Sequence, residues 1–293
     1  MREQLELALE ATGPPLSPHG QLLKWVGNKQ RYASQIAAFF PSTFGTYYEP
    51  FLGSGAVLAT LAPASGVGSD VFAPLIQIWQ ALKHSPQVVE SWYAERWDLV
   101  ARLGKQEAYG TIRARYNASP SGADLLFLSR ACYGGVVRFR KADGYMSTPC
   151  GAHNPMAPEA FGRRVDEWHR RIQGSQFVCA DYRDILSRAR AGDLVYCDPP
   201  YLHTQSILYG AQEFRLPDLF AEIDRLKSRG VKVALSIDGR KKSGRTACPI
   251  DMPDGLFARA VWIECGPSML KRFQLSGKTA ISHHVADRLL LTY

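Results

Sequence analysis

Strand and helix patterns alternate along this chain but fail between about residues 84 and 168, and that interruption constrains the fold most. Gly45–Thr46–Tyr47–Tyr48–Glu49 reads as a strand. It runs into Pro50–Phe51–Leu52–Gly53–Ser54–Gly55, a glycine-rich turn that opens a helix. A second strand is expected to end at Gly66–Asp70, followed by a helix over Phe72–Leu82. After the break come strands at Phe177–Ala180, Leu194–Cys197, Val231–Ile237, Ala258–Cys265 and Arg288–Tyr293, with a helix over 217–229. Repeated βα units specify an α/β sheet, here interrupted once.

The interruption has its own character. Four of the six tryptophans lie between 79 and 168, and residues 130–155 are rich in arginine, glycine and aromatics with little periodicity. We expect an inserted, mainly helical lobe over 84–168 carrying a hairpin, and a main unit built from 21–83 and 169–293. Residues 1–20 read as a flexible lead with a short helix at 3–10, stopped by Gly13–Pro14–Pro15. A further helix is expected from Asn28 to Phe40.

Composition narrows the partners. The 35 Lys and Arg outnumber the 27 Asp and Glu, for a net charge of +8, which favours polyanions through counterion release. Apolar runs such as Leu125–Leu128 are far too short to cross a bilayer, and the first twenty residues lack a secretory apolar stretch, so a cytoplasmic protein is expected. The six cysteines show no CxxC spacing, which speaks for reduced thiols and against a zinc knuckle. The one histidine pair, His283–His284, cannot aim both rings at one metal from a regular strand, so no metal site is expected.

Two constellations carry chemistry. Gly53 and Gly55 allow the backbone past Glu49, Pro50 and Phe51 to approach a ligand closely, although the same turn also packs helix on strand. Asp70, at the next strand's end, is placed as the acidic residue that accepts from ribose hydroxyls of a nucleoside cofactor. The second constellation is Val195–Tyr196–Cys197–Asp198–Pro199–Pro200–Tyr201. Two prolines stiffen the strand exit and forbid helix there. The Asp198 carboxylate and Pro199 carbonyl then suit an amino group that needs two acceptors, beside a ring that can stack on Tyr201.

Together these segments resemble the Dam-like, D12-class, alpha-type DNA adenine-N6 methyltransferases, and the resemblance runs over nearly the whole chain. Leu23–Lys24–Trp25–Val26–Gly27–Asn28–Lys29 is similar to the family's KWxGxK cofactor segment. Ala180–Asp181–Tyr182–Arg183–Asp184 is similar to its next cofactor strand, and Asp-Arg-Leu-Leu-Leu-Thr-Tyr to its closing strand. The resemblance implies a Rossmann-like sheet using S-adenosylmethionine, held by Trp25, Lys29, Glu49, Pro50, Phe51, Gly53, Gly55, Asp70, Asp181, Tyr182 and Asp198. Catalysis would fall to Asp198, Pro199, Pro200 and Tyr201.

The order of cofactor motif, insertion and Asp-Pro-Pro-Tyr is that of the family's alpha-type members, and the resemblance implies that the insertion carries target recognition. Ser129–Phe139 and Tyr145–Pro149 resemble the family's recognition hairpin, implying DNA contact by Arg130, Tyr133, Val136 and Arg138. Arginine suits phosphate or the O6/N7 edge of guanine, and Tyr133 a wedge or stack. Gly134 and Arg140 stand where the family tends to have Asn, so the target sequence is left open. Lys241, in the basic run 240–245, and Lys271 are further candidates for DNA contact, whereas Arg163–Arg164 and Arg170–Arg171 read as a solvated helix face.

The expected reaction is methyl transfer to adenine N6 in duplex DNA, with the base rotated out of the stack. Double-stranded DNA is the expected partner, with a cognate restriction endonuclease as a second. Cytosine-N4 methylation, an RNA or protein methyltransferase, and a non-catalytic DNA-binding subunit stay open as alternatives.

Overall fold

The computed structural model describes residues 15–200, 214–241, 246–247, 252–267 and 284–293. In chain order the first half holds α1 (Ala33–Ala37), β1 (Tyr47–Glu49), α2 (Ala56–Leu61), β2 (Gly66–Asp70), α3 (Ala73–His84), α4 (Pro86–Leu103), α5 (Lys105–Ala118) and α6 (Gly122–Ala131). The second half holds α7 (Pro158–Arg171), β3 (Ser175–Cys179), α8 (Tyr182–Leu186), β4 (Leu194–Cys197), α9 (Leu216–Ser228), β5 (Lys232–Lys241), β6 (Thr246–Ala247), β7 (Arg259–Pro267) and β8 (His284–Leu291). The sheet runs β3-β2-β1-β4-β5-β8-β7, with β6 hairpinned onto β5. Strands β1 to β5 are parallel, and β8 lies antiparallel between β5 and β7. This is the expected Rossmann-like sheet. Its strand order reverses between β1 and β4, where α/β sheets open a crevice at their carboxyl edge.

The strands that flank the crevice are short and buried on both faces. Every residue of β1 and β4 is buried, so neither needs an alternating pattern, and Pro199 and Pro200 end β4 by removing donors. The helices cover the sheet by their apolar spacing. Leu75, Ile78, Trp79 and Leu82 line one side of α3, and Leu219, Phe220, Ile223 and Leu226 one side of α9.

The inserted helices join the same apolar core as the sheet. Trp79 of α3 lies 5.6 Å from Trp168 of α7 and 5.8 Å from Phe177 of β3, and Tyr93 stacks on Phe161 at 4.1 Å. A buried ion pair fastens the lobe internally: Arg96 Nε donates to Asp124 Oδ1 at 2.8 Å, and Arg115 Nε to Asp124 Oδ2 at 2.8 Å. Between α6 and α7 the chain makes the expected hairpin, with Phe139 bridging Met146 and Cys132 bridging Cys150.

Three expectations change. The helix foreseen over 28–40 shrinks to α1, because Asn28 Oδ1 accepts from the Gln30 amide at 2.7 Å and Gly27 sits at φ +79°. An Asx turn competes with helix over those residues. Residues 15–20 of the lead are tied down. Trp168 Nε1 donates to the Gly20 carbonyl at 3.0 Å, and Arg171 to that of Leu16 at 2.6 Å. Arg164 likewise donates to the Gln21 carbonyl at 2.8 Å, so two of the four α7 arginines brace this segment instead of facing only solvent. The short helix at 3–10 lies outside the described residues.

Candidate active site

The carboxyl ends of β1, β2 and β4, the start of α8 and the 25–29 segment surround a single cavity of about 440 Å³. Of the expected cofactor residues, Trp25, Lys29, Glu49, Pro50, Phe51 and Gly53 line it. Asp70, Asp181, Tyr182 and Asp198 line it as well, together with Pro200.

Gly53 turns the backbone at φ +47°, and a Cβ there would press to 3.2 Å from the Trp25 ring, so glycine is required beside the cavity. Gly55 is different. It is not part of the wall; a Cβ on it would meet the Trp79 ring at 3.0 Å, and its φ of +60° caps α2. The structure places it against the Trp79 ring of α3 and not among the residues that line the cavity, where it was expected.

Asp70 is held from both sides. The Gly53 amide donates to Oδ2 and the Phe72 amide to Oδ1, each at 3.1 Å. Burial raises its pKa above the ordinary carboxylate range, opposed by those amides. Each oxygen keeps a lone pair for a hydroxyl donor. Asp181 caps α8 by accepting from the Arg183 amide at 2.9 Å. Tyr182 stacks on Phe51 with centroids 5.1 Å apart, and its buried hydroxyl has no hydrogen-bond partner among the described residues.

Lys29 was expected among the residues that hold a cofactor. In the structure its ammonium lies 2.7 Å from Asp198 Oδ1 and donates to the Gly27 carbonyl at 3.0 Å, with only 4% of the side chain exposed. A lysine far away in sequence thus fixes the charge and position of the carboxylate at the end of β4. Pro199 is buried behind it.

Glu49 is a strongly perturbed carboxyl on the cavity wall. It is 2% exposed and accepts from the Tyr47 hydroxyl at 2.7 Å. Desolvation pushes its pKa up to about 8, the Tyr47 hydrogen bond pulls against that, and the nearby Asp198 adds to it. Tyr47, Val71 and Phe214 are site residues that sequence reasoning missed. Tyr47 shares a strand face with Glu49 two residues on, which was a usable signal. Val71, 61% exposed on the cavity wall, follows the acidic Asp70 and was a second one. Nothing in the pattern singles out Phe214.

The recognition candidates divide. Tyr133 is 50% exposed and Arg138 is exposed, both on the hairpin, and Val136 beside them is half-buried. Arg130 is not available to DNA. It is buried in α6, donates to the carbonyls of Gln21 and Leu22 at 2.7 and 2.8 Å, and lies over the Phe161 ring. Lys241 ends β5, paired opposite Thr246, and the basic loop beyond it lies outside the described residues, as do Tyr201 and Lys271. Among the described residues no group of three or more His, Cys, Asp or Glu is placed to hold a metal, and no helix is long and apolar enough to cross a membrane.

A sheet of this order, opening at its switch point on a cavity with a lysine-held carboxylate at the rim, puts the chain among the Rossmann-like methyltransferases. Residues 25–247 match the model of the D12 class N6 adenine-specific DNA methyltransferase family, and the chain belongs to that family. Its activity is adenine-specific methylation of DNA. A DNA adenine methylase of Vibrio cholerae serotype O1 is 29% identical over 227 residues, 73% of this chain and 79% of its own. The retron Ec67 DNA adenine methylase of Escherichia coli is 30% identical over 187 residues, 61% of this chain and 63% of its own. The type II methyltransferase M1.LlaDCHI of Lactococcus lactis subsp. cremoris is 25% identical over 234 residues, 73% of this chain and 79% of its own. A solved rRNA methyltransferase, aviRa from Streptomyces viridochromogenes, aligns over 96% of this chain and 91% of its own, with 15% identity and a TM-score of 0.40.

Proposed function

We propose that the chain takes its methyl group from S-adenosylmethionine held in the 440 Å³ cavity and delivers it to an adenine rotated out of duplex DNA. The residues present fit that cofactor: the Asp70 carboxylate offers lone pairs to ribose hydroxyls, the Phe51 and Tyr182 rings offer apolar faces, and the buried Tyr182 hydroxyl has no partner among the described residues. When bound, the cofactor supplies the methyl as a sulfonium electrophile.

The chain's own part is positioning and charge. The adenine amine is a poor nucleophile because its lone pair is delocalised into the ring. Asp198 and the Pro199 carbonyl accept its two hydrogens, which opposes that delocalisation and aims the lone pair into the cavity. Lys29 keeps the carboxylate charged and fixed while it does so. Tyr201 is assigned the stacking floor for the rotated base. Residues 84–168 carry target recognition, with Tyr133 wedging, Arg138 reading a base edge and Val136 shaping the hairpin between them.

The observation that carries this reading is the Lys29–Asp198 pair at 2.7 Å on the rim of the same cavity that Asp70 lines. Tritium transfer from labelled S-adenosylmethionine to duplex DNA tests it. Asp198→Ala should fall at least about a hundredfold while DNA binding persists; retention of a tenth of the wild-type rate overturns the assignment. We place the enzyme in the cytoplasm with its DNA, and the type II relative favours a cognate restriction endonuclease as a further partner.

A further inference from the structure

We propose that Glu49 carries a proton in the ligand-free enzyme and releases it when a cation-bearing cofactor enters, so that the site prefers the sulfonium donor over its neutral thioether product. The proposal rests on the S-adenosylmethionine reading above and asks how that site tells donor from product.

The geometry sets two carboxyls against one ammonium. Glu49 at the end of β1 and Asp198 after β4 both line the cavity, and Lys29 lies 2.7 Å from Asp198. The groups facing Glu49 come from every neighbouring element. From its own strand the Tyr47 hydroxyl donates at 2.7 Å, and from α2 the Leu58 backbone favours the charged form. From β4 and its exit come Tyr196, Cys197 and Asp198, and from the 25–29 segment comes Lys29. Among the described residues only Lys29 in that set is a cation, and it pairs with Asp198.

A second buried negative charge is therefore unsupported until a positive charge arrives. Desolvation, first, and the Asp198 charge keep the Glu49 proton on at neutral pH, consistent with its pKa of about 8. A ligand sulfonium within a cavity walled by both carboxyls supplies the missing counter-charge, and the proton leaves to solvent. The thioether product has lost that charge but keeps the same amino, carboxyl and nucleoside groups. The ammonium and carboxylate are common to both ligands and cancel in the comparison, so the sulfonium alone favours the ionised Glu49.

Titration calorimetry on the full chain at pH 7, in three buffers of different ionisation enthalpy, counts the protons. Wild type should release between about half a proton and one proton per S-adenosylmethionine bound, and less than about 0.2 with S-adenosylhomocysteine. In Glu49→Gln the extra release should vanish, and the ligands' own ionisation is subtracted by the same comparison. From pH 7 to 8 the wild-type affinity for S-adenosylmethionine should rise about fivefold while that for the product stays level, as a group titrating near 8 requires. Tyr47→Phe removes the hydrogen bond that favours the ionised form, so its affinity rise should move to higher pH, and it tests the idea if Glu49→Gln does not fold. Equal proton counts for both ligands in wild type, or an undiminished count in Glu49→Gln, overturn the proposal. If wild type binds neither ligand, the cofactor reading itself fails, and this inference with it.

Discussion

Replacing Lys29 with methionine keeps the length and volume of the side chain while removing its charge. The pair it forms with Asp198 has an N···O distance of 2.7 Å, with 4% and 17% of the two side chains exposed. Breaking a buried pair from one side costs about 3–5 kcal/mol, because the partner's charge is left in a poor solvent. Asp198 keeps some contact with the cavity, where water takes up part of that charge, so the expected loss is about 2 kcal/mol. Urea unfolding should show it as a lower midpoint with an unchanged slope. Catalysis should suffer more than stability. A carboxylate that is free to move by an ångström costs about a hundredfold in rate, and the acidic limb of the pH–rate profile should move to higher pH as Asp198 loses its counter-charge. A stability loss below about 0.5 kcal/mol together with a rate within threefold of wild type would refute the idea that Lys29 holds Asp198 in place.

Four further outcomes are expected. Asp70→Ala should weaken S-adenosylhomocysteine binding by about 1.5–3 kcal/mol in a calorimetric titration, and unchanged affinity places the ribose elsewhere. Arg138→Ala should cost about 1–3 kcal/mol on the preferred site and relax preference at one base pair across a substrate panel; a uniform loss makes it a phosphate anchor. Arg130→Ala should cost about 2–4 kcal/mol of folding stability, read by urea unfolding, since two buried carbonyls lose their donor; it should leave base preference intact. Glu49 holds its proton up to about pH 8 when folded and only to the ordinary glutamate range when unfolded. The folded state therefore binds more protons in that window, and ligand-free stability should fall by about 1 kcal/mol per pH unit as pH rises through it, with Glu49→Gln flattening the slope in urea titrations.

The strands that build the crevice were legible because fully buried parallel strands are short apolar runs bounded by turn residues. Leu194–Cys197 matches expectation to the residue, and the second strand ends at Asp70 as expected. The wall of the cavity was legible where a motif fixed the chemistry, as at Asp70 and Asp198. Features decided by distant contacts were not. Nothing local tells a buried arginine from a DNA-reading one, and Arg130 sits inside because its partners are the carbonyls of residues 21 and 22. Lys29 and Asp198 meet only through the sheet's closure. The arginines of α7 read as solvated since charge runs usually are, yet Arg164 and Arg171 brace the segment that crosses them.

The tryptophans and aromatic rings shared between sheet and inserted helices bear on how such an enzyme acquires a new target sequence. A recognition unit hinged on a linker can be exchanged as a cassette. Here Trp79 leans on Trp168 from one side and Phe177 from the other, so the inserted helices are cemented to the catalytic sheet. Exchanging the whole 84–168 segment between relatives would leave mismatched rings at that seam, with cavities or clashes worth several kcal/mol. Retargeting is cheapest in the hairpin between α6 and α7, where Tyr133 and Arg138 stand out from the packed layer. On the proposed assignment of recognition to the hairpin, diversification of specificity in this chain falls to a few exposed positions on a packed support.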